Sequence, residues 1–170
     1  MELRAVLVKK SFVLILALLL SACGYHLRGA MELPAGIKSV YLEGGSPQLR
    51  VQFNRAMETS SVALASSPET AGMIVKIFNE DNQRRVLSLS SGGVANNFEL
   101  NYRFEYEIVD SKNKVLLARQ PVEIKREYFN TQQAVIAKDI EETVILNEMY
   151  QQAVRTVINR ARLAFQANSK

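Results

Sequence analysis

Tryptophan is absent from this 170-residue chain, and cysteine and histidine occur once each, as Cys23 and His26. One thiol cannot close an intrachain disulfide, and one thiol with one imidazole is a poor basis for a zinc site, so no metal is expected. His26 lies three residues after Cys23, near the start of the chain, where it is badly placed to join a catalytic constellation. There is no Gly-rich phosphate loop, no His-x-x-x-His pair and no Gly-x-Ser-x-Gly elbow. The adjacent carboxylates Glu141 and Glu142 would point about 100° apart on a helix and do not converge on a substrate. The expectation is a protein that is not an enzyme. Long apolar runs are scarce too. Only Phe12–Leu20 qualifies, and about 20 residues are needed to cross about 30 Å of hydrocarbon. Charge of one sign is not in excess, with 21 basic against 17 acidic side chains. A nucleic-acid partner, which calls for a concentrated basic face and stacking aromatics, is not expected.

What is present begins at the amino terminus. Arg4, Lys9 and Lys10 precede the apolar run, and Ser21-Ala22-Cys23 closes it. A basic start, an apolar core and a small-residue exit read as a secretory signal. The cysteine directly after the small pair resembles the lipobox of bacterial lipoproteins. That resemblance implies cleavage between Ala22 and Cys23, a diacylglycerol thioether on Cys23 and a palmitoyl group on the new amino terminus. Two or three acyl chains, at about 0.8 kcal/mol per buried methylene, hold a protein on a membrane without a spanning segment. Gly24, rather than aspartate, follows the cysteine, and by resemblance to lipoprotein sorting patterns this points to the outer membrane, on its periplasmic side. Loss of residues 1–22 leaves 148 residues, enough for one domain. Arg4, Lys9, Lys10 and Glu2 leave with the signal, which lowers the net charge from +4 to +2.

Residues 23–38 read as a lipidated tether, 39–166 as a single domain and 167–170 as a short tail. Ser39–Glu43 reads as a strand ended by Gly44-Gly45. Ser46 followed by Pro47 is an N-cap with proline at the first helical position, and it opens a helix to about Ser60. Val62–Ala65 reads as another short strand. From Phe98 to Ile108 apolar and polar residues alternate strictly, the mark of a strand with one buried face. Met73 to about Leu89 pairs with it across Ser90-Ser91-Gly92-Gly93, and Val115 to about Tyr128 returns after Asp110–Lys114. Pro121 in that last strand predicts a bulge or a sheet edge. Asn130 and Thr131 offer caps for a helix from about Gln133 to Phe165. Its core stripe is expected at Ile136, Ile140, Tyr150, Val154, Val157, Ile158, Ala161 and Phe165. The fold class is α+β, an antiparallel or mixed sheet of about four strands with two helices packed on one face.

The opening Cys23-Gly24-Tyr25-His26-Leu27-Arg28-Gly29, with Ala137-Lys138-Asp139 and Glu148-Met149-Tyr150-x-x-Ala153, resembles the lipopolysaccharide-assembly lipoprotein family LptE, also called rare lipoprotein B. The resemblance covers the mature chain. It implies a non-enzymatic subunit of the lipopolysaccharide translocon that plugs an LptD-type outer-membrane β-barrel as a heterodimer. It also implies help in folding that barrel, and binding of lipopolysaccharide itself. No cofactor is implied beyond the covalent lipid on Cys23. A stand-alone periplasmic lipid-binding lipoprotein, or a pilotin-like escort of another pore, would share the same anchor.

For lipopolysaccharide the need is cations, ideally arginine forks, beside apolar surface. In an up-down-up meander Arg84 and Arg85 share one end of the sheet with Lys125 and Arg126, which makes these four the candidates. Read without the family, they are equally strand-edge cations that guard against aggregation. Lys112 and Lys114 fall at the opposite end. The family carries a basic residue just before Glu148-Met149-Tyr150, where this chain has Asn147. For the barrel, Ile145, Met149 and Leu163 fall off the main stripe of the last helix. They mark either a partner surface or ordinary scattered apolar residues. Tyr25, Leu27 and Arg28, next to the lipid, are the other barrel-contact candidates.

Overall fold

The computed structural model describes residues 37–60, 62–129 and 135–168, with the side chains of 135–139 and 167–168 outside that description. Strand β1 (Ser39–Glu43) leads into helix α1 (Pro47–Glu58), strand β2 (Ala63–Leu64) and a 3₁₀ turn at Pro68–Thr70. The long strands β3 (Met73–Leu89), β4 (Ala95–Val109) and β5 (Val115–Phe129) follow, and helix α2 (Val135–Asn168) ends the chain. The sheet order is β2-β1-β3-β4-β5. β1 is parallel to both of its neighbours, and β3, β4 and β5 form an antiparallel meander. The expected α+β class holds, with five strands rather than about four. The two-residue β2 is too short for pairing to be read from periodicity, and parallel pairing across α1 is a tertiary event. β5 is an edge strand, which accommodates Pro121.

Ser46 caps α1 as its sequence predicts: its side chain accepts from Leu49 N at 3.2 Å, and Pro47 occupies the first turn. The same hydroxyl donates to Glu80 Oε1 at 2.7 Å. Glu80 reaches it through a β-bulge. Phe78 pairs with Glu105 and Asp81 with Arg103, so Asn79 and Glu80 together oppose Phe104, and Asn79 adopts φ 51°. The extra residue turns Glu80 onto the helix side of the sheet. There it also accepts from the Tyr102 hydroxyl at 2.7 Å. Burial, reinforced by that carboxylate, pushes the Tyr102 phenol well above its ordinary range. One carboxylate thus ties a bulge, a helix cap and the core.

Both helices lie on one sheet face, over Leu100, Tyr102, Phe104, Tyr106 and Ile108 of β4. Tyr102 meets Tyr150 of α2 edge to face at 4.7 Å. The opposite face has a small apolar cluster at Ala71, Ile74 and Val109. Beyond it lie cross-strand pairs: Arg103–Asp81 at 2.9 Å, Arg119–Glu105 at 3.6 Å and Arg85–Glu99 at 2.7 Å.

The stripe expected on α2 needs correction. Met149 is completely buried, and Ile145 packs half-buried against the core, whereas Ile140 is 62% exposed. The buried row runs Ile145, Met149, Ala153, Val157, Ala161, a spacing of four. Each such step turns the contact line by about 40°, since four residues advance about 400°. A single fixed stripe therefore fits the carboxy-terminal half and fails at Ile140, while the side chain of Ile136 lies outside the described residues. Leu163, 60% exposed, does lie off the core. Residues 167–168 belong to the helix rather than to a tail. The capping positions Asn130 and Thr131 fall outside the described residues.

Candidate functional site

β-strand side chains alternate between faces, so neighbours in sequence cannot share one. Arg84 and Arg126 both pair with Leu100, which puts them in one row on the helix side. They stand two strand spacings apart, about 10 Å. Arg85 opposite Glu99, and Lys125 opposite Asn101, project from the other face. The four predicted cations occupy one end of the sheet, as expected, but as two pairs on opposite sides.

All four are engaged. On the outer face Arg85 pairs with Glu99 at 2.7 Å and Lys125 with Glu123 at 3.1 Å. On the helix side Arg126 donates to the side chain of Gln152 and to the backbone oxygen of Lys125 at 3.1 Å. Arg84 donates to Glu142 Oε2 at 3.0 Å and lies over the Phe98 ring, 4.8 Å from its centroid. Phe98 stacks on Tyr128 at 5.4 Å, and the Tyr128 hydroxyl donates to the same Glu142 oxygen at 2.5 Å. A closed circuit therefore joins β3, β4, β5 and α2. The Glu142 carboxylate strengthens the hold of Arg84 on its proton. Burial, followed by Glu142, pushes the Tyr128 phenol up to about 12, so it is a donor at neutral pH.

The surroundings are apolar. Val86, Leu87, Leu89 and Val94 from the β3–β4 hairpin, Phe129 at the end of β5 (71% exposed), and Ile140 and Val144 from α2 are all exposed. Among the described residues, seven of the eleven exposed large apolar side chains gather at this one end. Cations within an apolar collar suit a ligand that is anionic at one end and greasy at the other.

At the other end, the Asp110–Lys114 turn carries Lys112 and Lys114. The Asp110 carboxyl accepts from the backbone N–H groups of Lys112 and Lys114 and is held below its ordinary range, with the Lys114 bond the larger cause. Lys76 Nζ donates to Asn113 Oδ1 at 2.9 Å. β1 begins at this end, because Val40 pairs with Met73 at the start of β3. The length of β3 separates the two ends, about 50 Å at about 3.3 Å per residue.

Of the barrel-contact candidates, Met149 is in the core and Ile145 is packed on it, which leaves Leu163 as the exposed one. Ala22, Cys23, Tyr25, Leu27 and Arg28 lie outside the described residues. Asn147 accepts from Gln52 Nε2 at 3.4 Å and links α2 to α1. Among the described residues no group of three or more His, Cys, Asp or Glu side chains could hold a metal, and no helix is long and apolar enough to cross a membrane. Sequence reasoning missed Tyr128 and Glu142. Only the pairing of β5 with β4, and the path of α2 over both, brings them to Arg84.

Comparison with known proteins finds relatives over most of the chain. A family model described as LptE, lipopolysaccharide-assembly, matches residues 37–161. The LPS-assembly lipoprotein LptE of Photorhabdus laumondii is 24% identical over 148 residues, covering 85% of this chain and 80% of that protein. The solution structure of an uncharacterized lipoprotein B from Nitrosomonas europaea superposes with a TM-score of 0.68 at 25% identity, covering 85% of this chain and 93% of that one. The crystal structure of rare lipoprotein B from Shewanella oneidensis shares the fold with a TM-score of 0.59 at 20% identity, over 76% of this chain and 97% of that one.

Proposed function

The chain belongs to the LptE family of lipopolysaccharide-assembly proteins, and on that premise we propose that it is the non-enzymatic lipoprotein subunit of the lipopolysaccharide translocon. In this reading Cys23 carries the lipid, residues 23–38 tether the domain to the periplasmic side of the outer membrane, and the folded body plugs an LptD-type β-barrel. The protein assists that barrel's assembly and binds lipopolysaccharide on its way to the outer leaflet. No cofactor takes part beyond the covalent lipid.

The observation that carries this is the gathering of Arg84 and Arg126 with the apolar collar at the end remote from the start of β1. Lipopolysaccharide presents phosphates and acyl chains together, and this is where the domain offers guanidinium groups and exposed aliphatic surface together. In this reading the cations that meet the ligand are Arg84 and Arg126. Arg84 and Arg126 share a face with the collar's helix ridge, while Arg85 and Lys125 point away from it.

The test is recovery of the lipidated protein from membranes, with mass spectrometry of bound proteins and lipids. A stoichiometric barrel partner with lipopolysaccharide is expected. Lipid without a barrel would make the chain a stand-alone lipid carrier and overturn the translocon reading. Palmitate labelling should mark the wild type and not Cys23→Ser. Arg28→Glu should lower barrel recovery, and normal recovery would remove that residue from the interface.

A further inference from the structure

Two donors, from different strands, converge on one carboxylate oxygen. Arg84 Nη1 reaches Glu142 Oε2 at 3.0 Å and Tyr128 Oη reaches the same atom at 2.5 Å. An acceptor at that point receives one charged and one neutral hydrogen bond, with the Phe98 ring beneath the guanidinium and the apolar collar around it. We propose that the Glu142 carboxylate is an internal stand-in for the phosphate of an anionic amphiphile, and that Arg84 and Tyr128 are the donors that receive that phosphate when Glu142 swings away.

Three observations support exchange over a fixed structural pair. Arg84 is half exposed, with 48% of its side chain in solvent, so its ion pair with Glu142 is screened and weak. A phosphate monoester brings a charge of about −1.5 to −2 and three acceptor oxygens, against one charge on a carboxylate, and so competes well for a single guanidinium. Glu142 itself is not closed off, because 23% of its side chain reaches solvent. Arg126 stands in the same row, and its partners among the described residues are the neutral Gln152 side chain and a backbone oxygen. A second anionic group on the ligand can reach it without displacing a charge.

The assignment of lipopolysaccharide as the source of the phosphate rests on the proposed function; the anion site itself does not. The test uses the full-length lipidated protein in detergent, with lipopolysaccharide, phosphatase-treated lipopolysaccharide and inorganic pyrophosphate as probes. Removing the internal competitor in Glu142→Ala should tighten lipopolysaccharide and pyrophosphate about five- to tenfold, the span of a weak ion pair plus one hydrogen bond. Glu142→Gln, which keeps the side chain's size, should tighten both in the same direction and guards against a misfolded alanine variant. Tyr128→Phe in the Glu142→Ala background should return much of that gain, and the phosphatase-treated lipid should respond to none of these changes.

Unchanged or weaker binding of both probes in a folded Glu142→Gln variant would overturn the proposal. So would failure of every variant to bind either probe. Tighter pyrophosphate with no lipopolysaccharide binding would keep the anion site and remove lipopolysaccharide from the proposed function.

Discussion

Met149→Ala separates the two roles open to an off-stripe methionine on α2. In the structure Met149 has no exposed surface and lies in the row with Ala153, Val157 and Ala161 over the aromatic core of β4. Truncation removes three heavy atoms from a closed site. Two of its companions in that row are already alanines, so little neighbouring bulk can move in to fill the gap. The expected loss is therefore about 3 kcal/mol, inside the usual range of about 2–5 for Met→Ala in a core. For a domain of this size that lowers Tm by about 10 °C. Urea and thermal unfolding of the protein measure the change directly, with Leu163→Ala as the companion. Leu163 is largely exposed, and its truncation should stay within about 0.5 kcal/mol. A Met149→Ala domain as stable as wild type would refute the core placement and return the residue to the partner surface.

Ser46→Ala should cost about 1–2 kcal/mol in urea unfolding, since it removes both the cap of α1 and a hydrogen bond to Glu80; a change below about 0.3 would show that the cap contributes nothing. Arg84→Ala with Arg126→Ala should weaken lipopolysaccharide binding about tenfold, the loss of one charged hydrogen bond or more. Arg85→Ala with Lys125→Ala, on the other face, should weaken it less, and equal losses from the two pairs would remove the face assignment. Tyr128 has its phenol raised to about 12 by burial and by Glu142. Its contribution to stability is fully present below the unfolded value of about 10 and is lost as pH rises through 12. The difference between ultraviolet titrations of wild type and Tyr128→Phe should be one tyrosinate that forms near pH 12, and a difference centred at pH 10 would deny the burial.

Local signals carried most of the fold. Strict alternation through β4 and the Ser46-Pro47 start of α1 placed those elements nearly to the residue, because each depends on its own side chains. The bulge at Asn79-Glu80 left no local trace, since a polar pair in a strand reads as wet-face alternation until the partner's register is known. The drift of the buried row on α2 was equally hidden, because it is set by the angle at which the helix crosses the sheet. For the site, the shared end of the four cations followed from strand direction alone. Their division between faces also follows from strand periodicity, yet Arg84-Arg85 and Lys125-Arg126 read in sequence as compact pairs. Tyr128 and Glu142 were beyond reach, as their meeting depends on strand pairing and helix path together.

The placement of β1 bears on how the domain answers to force. It is an interior strand, parallel to β2 and β3, and its first residues lie beside the start of β3, just after residue 37. Consider a pull on residue 37 directed along that strand's own axis. The hydrogen bonds to both neighbours are then loaded sideways and all at once, rather than peeled open one after another. Tension applied at residue 37 along that axis therefore meets the pairing of β1 as a block, and the aromatic layer beneath it should stay undisturbed.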